Sequence, residues 1–82
     1  MRAFIFLRIE PQHTMGVMHD LKGEPQITEA NLIHGPYDCL IEVDGQTLDE
    51  VNQTVMRIRE MSGVDDTVTC LVVQSWQRPD SE

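Results

Sequence analysis

The chain reads as a single α+β domain, a βαββαβ sandwich in which a four-stranded antiparallel sheet carries two helices on one face. Three observations lead there. The run Ala3-Phe4-Ile5-Phe6-Leu7 is apolar on both faces, as a strand in the middle of a sheet must be. Stretches of period-two alternation and of helical period follow one another in the order strand, helix, strand, strand, helix, strand. The halves 2–34 and 37–73 repeat one scheme, a strand, a helix ending in Gly, and a strand. That scheme is the split βαβ, or ferredoxin-like, arrangement, and right-handed crossovers place both of its helices on the same side.

Residues 2–10 form the first strand, with Ala3, Ile5, Leu7 and Ile9 on one face and Arg2, Phe4, Phe6 and Arg8 on the other. Pro11 ends it, because proline has no amide to donate. Residues 12–22 carry Met15, Met18 and Leu21 at helical spacing with Val17 beside them, and Gly23 follows as a left-handed terminator. In the second strand, 26–34, Ile27, Glu29, Asn31 and Ile33 alternate with Thr28, Ala30, Leu32 and His34. Gly35-Pro36 signals a turn. The third strand, 37–44, sets Tyr37, Cys39, Ile41 and Val43 on one face. Thr47-Leu48-Asp49-Glu50 is a capping box that opens the second helix. Its apolar stripe is Leu48, Val51, Val55, Ile58 and Met61; Arg57 and Arg59 lie near the end where cations suit the helix dipole, and Gly63 closes it. Residues 64–73, rich in Val and Thr, are the last strand. The domain is thus residues 1–74, and 75–82 is a polar tail with Trp76 as its apolar residue.

The chain has 82 residues, enough for one domain, of which 40% are hydrophobic and 24% charged. So short a chain buries only roughly 60–65% of its unfolded surface, which makes a partner surface valuable. Six Lys and Arg against fourteen Asp and Glu leave a net charge of −8. Phosphate backbones and anionic lipid surfaces are bound by basic patches, so neither nucleic acid nor a membrane is expected as a direct partner. Cys39 and Cys70 form no CxxC, which removes the commonest zinc and redox spacings and leaves two free thiols as in the cytosol. Arg8 and Glu10 interrupt the N-terminal apolar run before it reaches signal length, and no stretch is long enough to span a membrane, so a cytoplasmic protein is expected. The sheet face away from the helices carries Phe4, Phe6 and Leu40, an apolar patch that predicts dimerisation through the sheet.

The turn Gly35-Pro36-Tyr37-Asp38 has two readings. It shapes a hairpin, with Tyr37 in the core and Asp38 bonded to the turn backbone. It also fits a small-ligand site, since amides freed at a glycine turn hold a carboxylate and an acidic side chain meets an ammonium. A free amino acid offers both groups on one carbon. Thr67 and Thr69 share a strand face, either as ordinary strand residues or as two hydroxyls that orient a polar ligand. His34 borders the turn, whereas the spacing of His13 and His19 is not that of a helical zinc site, so no metal and no cofactor is expected. Cys39 with His34 lacks an evident oxyanion hole or third member for nucleophilic chemistry.

Gly35-x-Tyr37-Asp38 opening the third strand, and Gly63-Val64-x-x-Thr67-x-Thr69 after the second helix, occur here in that order. In both motifs the chain resembles the RAM domain, the C-terminal effector domain of the Lrp/AsnC transcription regulators, over residues 2–73. The resemblance implies a binding module and no enzyme. An amino acid would sit between neighbouring dimers at His34, Gly35, Pro36, Tyr37 and Asp38, with Thr67 and Thr69 supplied across a subunit boundary. It further implies a ring of dimers, octamer or decamer, or mixed assembly with full-length Lrp/AsnC regulators. The first strand starts right after Met1 and no helix-turn-helix pattern is present, so the expectation is a stand-alone effector domain that does not itself touch DNA. Two alternatives remain at this point: a small dimeric enzyme of the monooxygenase or isomerase type, and a purely structural oligomerisation domain. Against the first stand the apolar, helix-facing positions Ile5, Leu7, Cys39, Ile41, Val51 and Val55.

Overall fold

A computed structural model describes residues 1–80, so the last two residues of the expected tail lie outside the described residues. The elements are β1 (Arg2–Ile9), a 3-10 turn (Pro11–His13), α1 (Thr14–Leu21), β2 (Ile27–Leu32), β3 (Cys39–Asp44), α2 (Leu48–Arg59) and β4 (Val64–Leu71). The strands form one antiparallel sheet in the order β2-β3-β1-β4, the ferredoxin-like topology read from the sequence. β1 pairs on both sides, with β3 and β4, which explains why both of its faces are apolar.

The core lies between the sheet and the helices. Ala3, Ile5, Leu7 and Ile9 of β1 meet Cys39, Ile41 and Val43 of β3, Val17 and Leu21 of α1, and Val51 and Ile58 of α2, all buried. Both helices therefore cover one face, and Phe4 and Phe6 look out from the other. No helix among the described residues is long and apolar enough to cross a membrane.

Four local expectations are corrected. Gly23 is not a left-handed cap: Lys22 ends α1 in right-handed conformation, and Gly63, at φ 94°, is the described glycine with positive φ. Met15 does not join the α1 stripe; it is exposed, because Val17 and Leu21 take the inward positions. The face of α2 is rotated from the expected stripe, with Leu48 exposed and Thr54 fully buried. Burial of Thr54 is tolerated because its hydroxyl donates to the Glu50 carbonyl at 3.0 Å. The β2 alternation breaks at a register shift between Ile27 and Glu29, so Ile27 and Ala30 both pack on the core.

The capping box forms. Thr47 Oγ1 accepts the Glu50 amide at 3.2 Å, and the Glu50 carboxylate accepts the Gln46 amide at 3.2 Å, one residue before the cap.

Candidate functional site

The Gly35–Asp38 turn sits at the C-terminal end of β1, where three strands meet. Leu7 faces Cys39 on one side and Thr67 on the other, so the turn and Thr67 flank the same strand end, about 10 Å apart at two strand spacings. Two backbone bonds tie the turn down: Asp38 N–H donates to Leu7 O at 2.8 Å, and Ile33 N–H donates to Asp38 O at 3.0 Å. The Asp38 carboxylate accepts the Ile9 amide through Oδ2 at 2.7 Å, across the β1 irregularity at Arg8 and Ile9. Asp38 Oδ1 and the N–H groups of Gly35 and Tyr37 take no protein hydrogen bond among the described residues.

Tyr37 is not part of β3, which begins at Cys39, and it is not in the core. Outside the strand it escapes the alternation that would place it beside Cys39. Its half-buried ring lies on the open sheet face, with its centroid 5.5 Å from that of Phe6 at an interplanar angle of 49°. The Arg8 guanidinium stands 5.0 Å over that ring and donates to Pro36 O at 3.1 Å. His34, Gly35 and Pro36 are exposed.

Thr67 and Thr69 face the helix side of the sheet, in register with Leu7 and Ile5. Thr67 is half-buried, Thr69 is exposed, and Thr67 lines a polar cleft of about 300 Å3 with Arg59, Val64, Asp65 and Asp66. Within one subunit the two groups of candidate residues are thus at one end of the sheet but on opposite faces. Sequence reasoning passed over Arg8, Arg59, Asp65 and Asp66. The signal for Arg8 was available: a cation at the end of an aromatic strand face, level with a glycine turn. A second, largely apolar cleft of about 270 Å3 between α1 and β2 contains none of the candidates.

Phe4, Phe6 and Leu40 are all half-buried on the open face. In register beside them stand Val68, opposite Phe6, and Cys70, opposite Phe4. Arg2 borders the patch, stacked 5.1 Å over Phe4 and paired with Glu42. Cys39 is fully buried, with its sulfur 3.9 Å from that of Met18. Burial pushes its thiol up from the usual range, partly offset by a hydrogen bond with the Asn31 backbone, and the Asp38 charge pushes it further. A thiol held neutral and turned inward is no nucleophile for a pair with His34. Among the described residues no group of three or more His, Cys, Asp and Glu is placed to hold a metal ion.

Comparison with known proteins fits this architecture. The profile described as the Lrp/AsnC ligand binding domain matches residues 2–81. An HTH-type transcriptional regulator of Pyrococcus horikoshii is 31% identical over 71 residues, covering 82% of this chain and 47% of that protein. A homocitrate synthase of Sulfurisphaera tokodaii is 34% identical over 73 residues, 88% of this chain but 16% of the enzyme. The crystal structure of TTHA0845 from Thermus thermophilus superposes with a TM-score of 0.87 at 26% identity, covering 94% of this chain and 98% of that one. A transcriptional regulator from Neisseria meningitidis, solved as its L-Met complex, has the same fold, with a TM-score of 0.87 at 17% identity over 99% of this chain and 55% of that one.

Fold and relatives together define an effector domain of the kind found in transcription regulators. The chain belongs to the Lrp/AsnC family, as its ligand-binding domain. It spans about half the length of the regulator it matches.

Proposed function

We propose that this domain binds an amino-acid-like ligand between subunits and modulates transcription through assembly, with itself or with full-length Lrp/AsnC regulators, without contacting DNA itself. The observation that carries the ligand reading is the turn at the end of β1. It combines the free N–H groups of Gly35 and Tyr37 with a free carboxylate oxygen on Asp38, a complement to a carboxylate and an ammonium on one carbon. His34 and Tyr37 would wall the pocket, with Pro36 fixing the turn. Thr67 and Thr69 look out from the opposite face, so one ligand touches both groups only if a second subunit supplies one of them.

Assembly is supported by the open face. Phe4, Phe6 and Leu40 make an apolar surface that water leaves readily, and so small a domain gains stability by covering it. A dimer through the sheets, closed into a ring of dimers as octamer or decamer, is the proposed form. Ligand between dimers then biases the assembly by binding one arrangement better than another. The net charge of −8 supports a role without direct DNA contact.

A thermal-shift screen against the twenty amino acids tests the reading, because a compound that binds the native state raises its stability. At least one amino acid should raise the melting temperature in a concentration-dependent way. No shift with any of them at millimolar concentration would refute the ligand reading. The L-Met complex of the Neisseria regulator makes L-methionine the first compound to try.

A further inference from the structure

We propose that Arg8 reads the carboxylate of the ligand at the Gly35–Asp38 turn, an inference that rests on the amino-acid reading above and names the side chain that selects the anion. Arg8 is opposite Asp66 in the β1–β4 register, where a cross-strand ion pair would be ordinary. That pair is not made. The Asp66 carboxylate accepts the amide of its own neighbour Thr67 at 2.9 Å, and Arg8 turns the other way, to Pro36 O at 3.1 Å and the Tyr37 ring at 5.0 Å.

The result is a cation without an anion. Arg2 pairs with Glu42 and Arg57 with Glu24, whereas no carboxylate among the described residues lies within 4.0 Å of Arg8. Lys22 and Arg59 also lack an acid partner among the described residues, so what sets Arg8 apart is its place, against Pro36 O and the Tyr37 ring at the turn. Guanidinium has five N–H donors, and one of Arg8's is used. Contact with the Tyr37 ring, itself packed against Phe6, and the bond to Pro36 O restrain the group, and its remaining N–H donors suit a carboxylate.

Arg8 and Asp38 therefore bracket the turn with opposite charges that do not pair with each other, which suits a zwitterion. A carboxylate from a second copy of the chain would need only the guanidinium. The free Gly35 amide lies in the same turn, whereas the Tyr37 N–H points away from Arg8 across the trans Pro36–Tyr37 peptide.

The test is calorimetry on wild type, Arg8→Gln and Arg8→Lys with the twenty amino acids and their α-carboxamides, alongside light scattering and circular dichroism melts. For an amino acid that binds wild type, Arg8→Gln should weaken the acid about tenfold or more and leave the carboxamide nearly unchanged, with Arg8→Lys in between. A merely structural role for Arg8 moves acid and carboxamide together, and that result overturns the proposal. So does an unchanged acid affinity in Arg8→Gln. A drop in oligomer mass with the acid-to-amide ratio preserved assigns Arg8 to a subunit contact and likewise overturns it. If no amino acid binds wild type, the ligand reading fails and this inference falls with it; if one binds wild type and Arg8→Gln alike, this inference alone falls.

Discussion

His13 packs directly on Gly63. The glycine has φ 94°, and a Cβ there would overlap the Cβ of His13. The Gly63 carbonyl also accepts the Glu10 amide at 2.8 Å, so the junction of β1 with α1 is clamped to the junction of α2 with β4. Left-handed backbone costs a non-glycine residue about 1–2 kcal/mol, before any overlap. Gly63→Ala should therefore destabilise the domain by about 2 kcal/mol or more in urea unfolding. Gly16 is the opposite case. It lies inside α1 with nothing within 4 Å of a Cβ, so Gly16→Ala should stabilise by about 0.5–1 kcal/mol. Equal effects of the two substitutions would contradict this account of Gly63.

Asp38 has a structural duty in addition to the proposed one. Its Oδ2 holds the Ile9 amide at 2.7 Å where the β1–β4 ladder is irregular. Asp38→Ala strands that amide and should cost about 1–3 kcal/mol, seen as a lowered melting temperature. Asn keeps an acceptor oxygen, so Asp38→Asn should lose much less stability while still weakening amino-acid binding in calorimetry. Full affinity in a well-folded Asp38→Asn would place the ammonium elsewhere.

Phe6 lies under Tyr37 and opposite Val68 on the open face. If that face joins two subunits, Phe6→Glu buries a charge in the contact and should shift the light-scattering mass toward the monomer at micromolar concentration. Wild-type protein that is already monomeric there would remove the sheet-to-sheet dimer.

Burial raises the Cys39 thiol, with a sign that can be checked. A free thiol ionises near about 8.5, so above that pH the unfolded chain loses a proton that the folded one keeps. The stability contributed by the neutral buried thiol is whole below that pH and falls as pH rises toward the folded value. Unfolding midpoints measured from pH 7 to 10 should drop more steeply for wild type than for Cys39→Ala. In the Phe6→Glu variant, where the open face is uncovered, Cys70 should also react with iodoacetamide faster than Cys39.

With its charge of −8, the purified protein should leave promoter DNA unretarded in a gel-shift assay at moderate salt. A retarded band produced by this protein alone would end the proposal that it acts on transcription only through partners.

The order of elements, the central place of β1 and the capped second helix are local facts. Apolar residues on both faces of β1 demand neighbours on both faces, and Thr47 with Glu50 satisfies amides within one turn, so sequence determined them by itself. Gly63 was legible as a glycine between the second helix and the last strand, although it does not close that helix, which ends earlier, at Arg59 with a right-handed cap at Glu60. Other features depended on what each residue meets from distant parts of the chain. Thr54 displaces Leu48 from the core because α2 is rotated against the sheet and Glu50 O satisfies its hydroxyl. A register shift in β2 brings Ile27 and Ala30 to one face, against the alternation. Tyr37 sits outside β3 and swings to Phe6, carrying Arg8 with it, while Asp38 caps Ile9, nearly thirty positions away in the chain. Periodicity assumes straight, regular elements. Bulges, helix rotation and the partner of a charged side chain are settled only when the layers pack, because their energies come from contacts between segments that sequence spacing does not link.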